Sequence, residues 1–314
     1  MSNRSPNEST LHVVATPIGT LADLSPRALA ILRDVDFIAC EDTRHTGKLL
    51  SAYGVKTPLV SLHQHNERER SASVVERIYS GARGEAALVT DAGTPGVSDP
   101  GAWLVAAAHE KGVRVLSAPG PSSLAAALGA CGFEARRAVF STFFPRERKE
   151  RETELRVWWA AAPCVGVCFE SPQRLVSTLA FFAEKLPPGA LVCVSREISK
   201  KHEEHVRGNP ADVLAAFEAR DEVRGECVVC VELNDATVQA QSEALREAAE
   251  AQGEGSQVVT VEQVARACLD EVARTGALLK RVAKAKAELS GFSAKDIYAA
   301  AQSLRDTAHG DGES

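Results

Sequence analysis

Two consecutive α/β units followed by a small helical tail are predicted for this chain, on three observations. Between Leu11 and Ser117 short apolar runs alternate with helix-length segments, the pattern of a parallel sheet with helices on both faces. Pro119-Gly120-Pro121 then breaks the chain rigidly before a second series of apolar runs begins. The stretch 234–257, free of aromatic residues and rich in Ala, Gln, Glu and Gly, sets both units apart from a C-terminal helical segment.

In the first unit, 11–121, the runs Leu11–Ala15, Val35–Cys40, Leu59–Leu62, Ala86–Thr90 and Val113–Ser117 read as strands. Pro26–Leu32, Thr46–Ala52, Arg68–Tyr79 and Ala102–Lys111 read as the helices between them. Ser122 opens the second unit, 122–233, as the cap of an apolar helix over Leu124–Cys131. Its strands are expected near Val139-Phe140, Val165–Phe169, Leu191–Val194, Glu204–Val206 and Cys227–Leu233. Apolar and polar residues are more mixed here, which predicts partly antiparallel pairing. Residues 1–10 are polar, lack an apolar signal core and are expected to form a disordered leader. The stretch 234–257 is expected to be a linker with room for a short helix. In the tail, 258–308, a helix from Leu278 to Leu289, the turn Ser290-Gly291-Phe292-Ser293 and a helix from Ala294 to Leu304 outline a helix-turn-helix. Lys280, Arg281, Lys284 and Lys286 make the first of these helices basic, a pattern shared by solvated faces and nucleic-acid-binding ones.

The 314 residues carry a formal net charge of -6, which argues against a protein that coats nucleic acid through bulk charge but leaves room for a local basic patch. No apolar run is long enough to span a bilayer, and a cytoplasmic protein without membrane contact is expected. Most of the eight cysteines lie inside apolar runs. Cys227 and Cys230 have C-x-x-C spacing, but on a strand they face opposite ways, and no second pair completes a zinc site. Buried thiols in a reducing compartment are the expectation.

The run from Leu88 to Gly101 carries the most information about function. A strand ends at Thr90 and enters a loop dense in Gly, Pro, Asp and Ser, after which a helix begins at Ala102. In an open α/β sheet, ligands gather where a strand end turns into a helix in this way. Three further loops follow strands of the same unit: Thr16–Leu21, Glu41–Lys48 and Leu62–Glu67. Parallel strands put all four on one rim of the sheet. None is a phosphate cradle: G-x-G-x-x-G does not follow the first strand, and no G-x-x-x-x-G-K-[ST] occurs anywhere. His45, His63 and His65 suggest metal ligands, but Arg44 and Lys48 beside them oppose a bound cation, so no metal is expected. Arg44, His45 and Lys48 suit an anion such as a phosphodiester, unless they only pair with Glu41 and Asp42. Arg136, Arg137, Arg146, Arg148, Lys149 and Arg151 bracket Phe140, Phe143 and Phe144, an interleaving found on single-strand nucleic-acid surfaces and equally compatible with a solvated helix. Glu170-Ser171-Pro172 and the cationic run Ser199–Glu204 lie at presumed strand ends of the second unit.

Thr16-Pro17-Ile18-Gly19, the Glu41–Lys48 run, His65-Asn66-Glu67, Asp91–Gly96, Ser98–Gly101, Pro119–Ser122, Glu170-Ser171-Pro172 and His202-Glu203-Glu204 occur in this order. Together they resemble the bacterial 16S rRNA (cytidine-2′-O)-methyltransferases of the tetrapyrrole methylase superfamily, over about Leu11–Leu233. Thr20 stands where Asn is usual in that family. Thr90-Asp91-Ala92-Gly93 replaces the Gly-Gly-Asp-Pro type loop of tetrapyrrole-modifying members, which favours the RNA branch. The resemblance implies a two-domain tetrapyrrole methylase-like (class III methyltransferase) fold with S-adenosylmethionine in a cleft between the domains, and a homodimer. It places Pro17, Asp91, Gly93, Thr94, Ser122, Ser123 and Glu170 at the cofactor. It implies methylation of a cytidine ribose 2′-hydroxyl in the decoding region of 16S rRNA within the small ribosomal subunit. A ribose hydroxyl is a poor nucleophile and gains from a general base. Glu41, Asp42, His45 and His65 are the candidates, and the sequence does not separate them. Arg44, Lys48, Arg174 and Lys201 are candidate contacts to the RNA. The rival readings are a methylase of a tetrapyrrole or a protein side chain, and a non-catalytic ribosome-assembly factor.

Overall fold

The computed structural model describes residues 8–134, 136–251, 261–275, 277–290 and 293–310. The chain divides into two compact units, one running to Ser242 and one starting at Glu243.

The larger unit holds two five-stranded sheets. In the first, β1 (Thr10–Val14), β2 (Phe37–Cys40), β3 (Leu59–Ser61), β4 (Glu85–Val89) and β5 (Arg114–Ala118) lie in the order β3-β2-β4-β1-β5. Every neighbouring pair is parallel. Side chains alternate along a strand, so each strand serves two cores. Phe37 and Leu88 pack on one face with Ile78 of α3 (Glu67–Ser80) and Leu104 of α4 (Ala102–Glu110). Ile38 and Val89 pack on the other with Leu32 of α1 (Pro26–Asp34) and Leu50 of α2 (Thr43–Ala52). Both faces are therefore covered, and the strand ends are the places left for a ligand.

In the second sheet, β6 (Ala138–Phe143), β7 (Cys164–Glu170), β8 (Leu191–Arg196), β9 (Glu204–Gly208) and β10 (Cys227–Leu233) lie in the order β6-β7-β10-β8-β9. β6 and β7 are parallel, and the remaining pairs are antiparallel. One face packs α5 (Ser123–Ala130), which Ser122 caps by accepting the Ala125 N–H. The other packs α6 (Arg148–Ala161), α7 (Pro172–Lys185) and α8 (Pro210–Glu218) through Trp158, Phe182 and Phe217. Cys227 belongs to the second core and Cys230 to the first, as residues three apart on a strand must. All eight cysteines are free and buried.

Two expectations need correction. Ser9 and Thr10 are fully buried, and Thr10 opens β1 between Glu85 and Arg114, so the leader gives way to structure before Leu11; residues 1–7 lie outside the described residues. The expected linker is a helix, α9 (Asp235–Ala251), in its described part. Its composition is that of a good helix former, and the Asn234 side chain accepts the Thr237 N–H at 2.9 Å to start it. The glycines at 253 and 255 fall outside the described residues. The Arg/Phe interleaving divides: Phe143, Arg136, Arg137, Arg146 and Lys149 are exposed, but two members are not available to a partner. Phe144 is buried against Trp158 and Phe182, and Arg151 is buried with its guanidinium donating to the Pro145 carbonyl at 2.9 Å. Arg148 pairs with Glu184 and Glu152.

The C-terminal unit packs α10 (Val261–Thr275), α11 (Leu279–Ser290) and α12 (Ala294–Gly310) around Cys268, Val282, Ile297 and Ala301. Ser293 caps α12 by accepting the Asp296 N–H at 3.1 Å. The expected turn residues Gly291 and Phe292 lie outside the described residues. Lys280, Arg281 and Lys284 are exposed, while Lys286 pairs with Glu271 at 3.0 Å.

A strap joins the two sheets. The loop between β8 and β9 reaches the loop after β1, where Thr20 donates its N–H to Ser199 Oγ at 3.1 Å and its hydroxyl to the Ser199 carbonyl at 2.7 Å. Gly19 makes this approach possible: a Cβ there would sit 2.5 Å from the Ser199 carbonyl oxygen. Gly19→Ala is expected to lower the urea unfolding midpoint, with a loss of about 1–3 kcal/mol from the forced separation. An unchanged midpoint would show that the strap yields freely.

Candidate functional site

The rim loops are bonded to one another. Thr16 and Gly93 exchange both backbone hydrogen bonds, at 2.9 and 3.1 Å, in an isolated antiparallel bridge. The Thr16 hydroxyl donates to the Thr90 carbonyl at 3.2 Å, and the Thr94 hydroxyl donates to the Pro121 carbonyl at 3.2 Å. Gly93 takes φ +82°, a region that strongly favours glycine. On the far side of the Asp91 loop, the buried Glu67 carboxylate accepts the Gly101 N–H at 2.5 Å.

These loops face the second sheet across a cavity of about 460 Å³. Ile18, Phe143, Phe169, Ile198 and Val228 give it apolar walls. Phe143 is half exposed and meets Phe169 edge-on at 5.8 Å, so it presents a ring to the opening. Gly93, Thr94, Ser122 and Ser123 line the cavity, as do Glu41, Asp91, Asp99 and Glu226. Burial pushes the Asp99 carboxyl up to about 6, and the charges of Glu41, Asp91 and Glu226 push the same way against a Thr90 hydrogen bond. Glu41 is also raised, first by burial and then by Asp91, with His63 opposing. Glu226 pairs with Lys200 at 3.1 Å, but Glu41, Asp91 and Asp99 have no ion pair among the described residues, so the cavity concentrates negative charge there.

Glu170, expected at the cofactor, also lines this cavity but is neutralised. Its side chain is completely buried, yet it accepts from the Ser171 N–H at 2.7 Å and the Thr178 hydroxyl at 2.6 Å, and it pairs with Arg174 at 2.5 Å. Arg174, a candidate RNA contact, is therefore engaged inside the protein.

A second cavity of about 460 Å³ adjoins the first, sharing Ile18, Asp91, Ala92 and Glu226 with it. Pro17, expected at the cofactor, lines this second space together with His45 and Lys48. Lys200 also lines it, held between Glu197 at 2.8 Å and Glu226 at 3.1 Å.

The remaining candidates stand apart. Asp42 caps α2 by accepting the Arg44 N–H at 2.8 Å and also pairs with the Arg44 guanidinium at 2.8 Å, which holds its carboxyl well below the usual range. Arg44 is otherwise exposed. His65 stacks edge-on with His63 at 6.0 Å, and it lines neither cavity, nor does the exposed Lys201. Among the described residues no group of three or more His, Cys, Asp or Glu is arranged to hold a metal. Asp99, Glu226, Phe143, Phe169 and Ile198 were missed as site residues. Asp99 carried a signal, lying in the Asp91 loop; Glu226, just before a strand, carried none.

A cavity at the carboxyl ends of a parallel sheet, closed by a second mixed sheet, defines a class III methyltransferase fold. The tetrapyrrole (corrin/porphyrin) methylase family model matches residues 10–214. Ribosomal RNA small subunit methyltransferase I of Pseudomonas aeruginosa is 42% identical over 224 residues, covering 71% of this chain and 78% of that protein. The crystal structure of diphthine synthase superposes with a TM-score of 0.54 at 15% identity, over 74% of this chain and 94% of that one. Uroporphyrin-III C-methyltransferase from Thermus thermophilus, complexed with S-adenosylhomocysteine, does so with a TM-score of 0.50 at 18% identity, over 71% and 97%. The chain belongs to the tetrapyrrole methylase family and is a methyltransferase, similar in sequence to the ribosomal RNA small subunit methyltransferase I proteins.

Two measurements probe the site's electrostatics. Arg174→Ala leaves the buried Glu170 without its cation and is expected to cost about 3 kcal/mol in denaturant unfolding, with Glu170→Gln milder. Asp99 has a raised carboxyl, so between about pH 4 and about pH 6 the fold holds a proton that the unfolded chain releases. Its contribution to stability therefore falls as pH rises through that window. Asp99→Asn is expected to match the parent near pH 4 and to exceed it by about 1–2 kcal/mol at pH 7, after discounting for partial solvent contact. Parallel stability curves would show that Asp99 is not strained.

Proposed function

We propose that this protein transfers a methyl group from S-adenosylmethionine to the ribose 2′-hydroxyl of a cytidine in the decoding region of 16S rRNA, acting on the small ribosomal subunit in the cytoplasm as a homodimer. The single observation carrying the reading is that the chain is 42% identical over 224 residues to an rRNA small-subunit methyltransferase. The cavity fits the methyl donor chemically. Its apolar walls suit a nucleoside, and its unneutralised carboxylates suit a ligand with a sulfonium and an ammonium group. An assembly factor without catalysis has no use for such a cavity. The homodimer is supported by the edge strand β5, which exposes the apolar Leu116.

S-adenosylmethionine supplies an electrophilic methyl carbon and leaves as a neutral thioether. The protein's part is to align the hydroxyl oxygen with that carbon and to keep water away. Ile18, Phe143 and Phe169 form the water-excluding walls. Gly93 lets the backbone approach the ligand, with Thr94, Ser122 and Ser123 as polar contacts. Of the four candidate bases, Glu41 alone lines this cavity. Asp42 is committed to Arg44, His45 faces the second cavity, and His65 lies outside both. Glu41 takes the hydroxyl proton as the oxygen–carbon bond forms and the carbon–sulfur bond breaks. Its raised carboxyl suits it to that role.

The test is methyl transfer from labelled S-adenosylmethionine to small subunits lacking the modification, with naked rRNA and a free tetrapyrrole alongside. Label at one ribose, absent with Asp91→Ala, is expected. Label in the tetrapyrrole instead would move the protein to the small-molecule branch. Glu41→Gln is expected to lower kcat by about 10²–10⁴ with donor affinity nearly unchanged, and to abolish the fall in rate at acid pH. An equal loss of donor affinity would make Glu41 a binding residue instead. Because Asp99 ionises near pH 6, affinity for S-adenosylmethionine is expected to rise from pH 5 to pH 7 by more than that for uncharged-sulfur S-adenosylhomocysteine, as calorimetry can measure.

A further inference from the structure

We propose that the second cavity seats the acceptor nucleotide, with its phosphodiester held by Lys48 on α2 and its ribose at the wall shared with the first cavity. The inference rests on the reading of the first cavity as the donor site. A methyl group passes between atoms in contact, so the acceptor must lie across a wall common to both spaces. Ile18, Asp91, Ala92 and Glu226 form such a wall.

The charges of the two cavities differ in the required sense. The first is lined by five carboxylates, of which Glu170 and Glu226 are ion-paired, and, among its lining residues, by no lysine, arginine or histidine. The second adds His45, Lys48 and Lys200 to Asp91 and Glu226. The charge of Lys200 is already met by Glu197 and Glu226. Among the described residues Lys48 is exposed and has no ion pair, so it is a cation of this lining available to meet a phosphate. Asp91 and Glu226 repel a phosphate from the shared wall, which turns the sugar hydroxyl toward the wall and the phosphate toward α2. His45, Lys48 and Ala52 lie three and four residues apart, on one face of α2, and all line the space. Ala52 keeps that face low, while Pro17, Leu21 and Leu49 offer apolar surface to a base. Leu21 is a half-exposed apolar side chain there. The volume, about 460 Å³, falls within the range of small-ligand pockets.

The experiment uses the full chain, labelled S-adenosylmethionine and unmodified small subunits. It measures kcat, KM for the subunit, the salt dependence of KM, and S-adenosylmethionine affinity by calorimetry. Lys48→Ala is expected to raise KM about tenfold, Lys48→Glu by about a hundredfold, and Lys48→Arg by no more than about threefold. The slope of log KM against log salt should fall by about one in Lys48→Ala. Ala52→Trp, which narrows the space without changing charge, should raise KM and leave the salt slope alone. Donor affinity should stay within about twofold of the parent in every variant, which also shows that each has folded. The proposal is overturned if Lys48→Ala and Lys48→Glu keep the parent's KM and salt slope, or if donor affinity falls in step with them. Should the parent methylate no subunit at all, the proposed reaction fails, and this seat for its acceptor fails with it.

Discussion

The site depends on a two-residue bridge. Thr16 follows β1 and Gly93 follows β4, and by exchanging backbone hydrogen bonds they fix two strand-end loops as one piece. Everything at the junction of the two cavities hangs from it. Ile18 lies two residues beyond Thr16, and a Cβ on Gly93 would stand 3.5 Å from the Ile18 side chain. Asp91 and Ala92 directly precede Gly93 and line both cavities. Thr94 then ties the assembly to the Pro121 carbonyl, just before the helix that begins the second sheet's layer. Free loops would offer these groups one at a time, and bonded loops hold them in register without the entropy loss of ordering at binding.

Charge is handled in opposite ways a few residues apart. Glu170 is the more deeply buried carboxylate, yet hydrogen bonds and Arg174 satisfy it completely. Glu41, Asp91 and Asp99 share their cavity with no cationic side chain. The first arrangement is structural and needs no ligand. The second stores unfavourable electrostatic energy that a cation would release, and perturbed carboxylates in a cleft are the common mark of a binding or catalytic site. Discrimination follows from the same fact. Under the proposed reading, a positively charged donor would gain the full relief and its neutral product less, so the spent cofactor would leave more readily than the fresh one.

Much of this was legible in the sequence, because the first sheet is parallel. Parallel strands send every strand-end loop to one rim, so Thr16–Leu21, Glu41–Lys48 and the Asp91 loop could be gathered from spacing alone. The second sheet defeats that logic. β10 runs antiparallel to β7, so Cys227 pairs with Glu170 and the residue before β10, Glu226, arrives at the cleft. No local pattern announces a functional residue at the start of a strand. The choice among the four candidate bases was equally closed to sequence, since it turns on Asp42 capping its own helix and His65 pointing elsewhere. The Arg/Phe interleaving left two readings open for a related reason. Phe143 ends β6 and reaches the cavity, while Phe144, one residue beyond the strand, enters the core.

The strap from the β8–β9 loop gives the second sheet a part in the acceptor side as well as the donor side. Ser199 holds the loop after β1 through Thr20, and the next residue, Lys200, reaches back to Glu226 at the shared wall. The pair Lys200–Glu226 thus ties the strap to the place where the cavities meet. It also removes one positive charge from a space that would otherwise carry two lysines near the ribose. A phosphate drawn by Lys200 would sit against the carboxylates and turn the hydroxyl away from the donor. With that lysine paired, Lys48 on α2 is the lysine that, under the proposed seat, would orient the nucleotide. The ion pair would then act on geometry: by silencing one of the two lysine charges, it would select which end of the acceptor faces the methyl group.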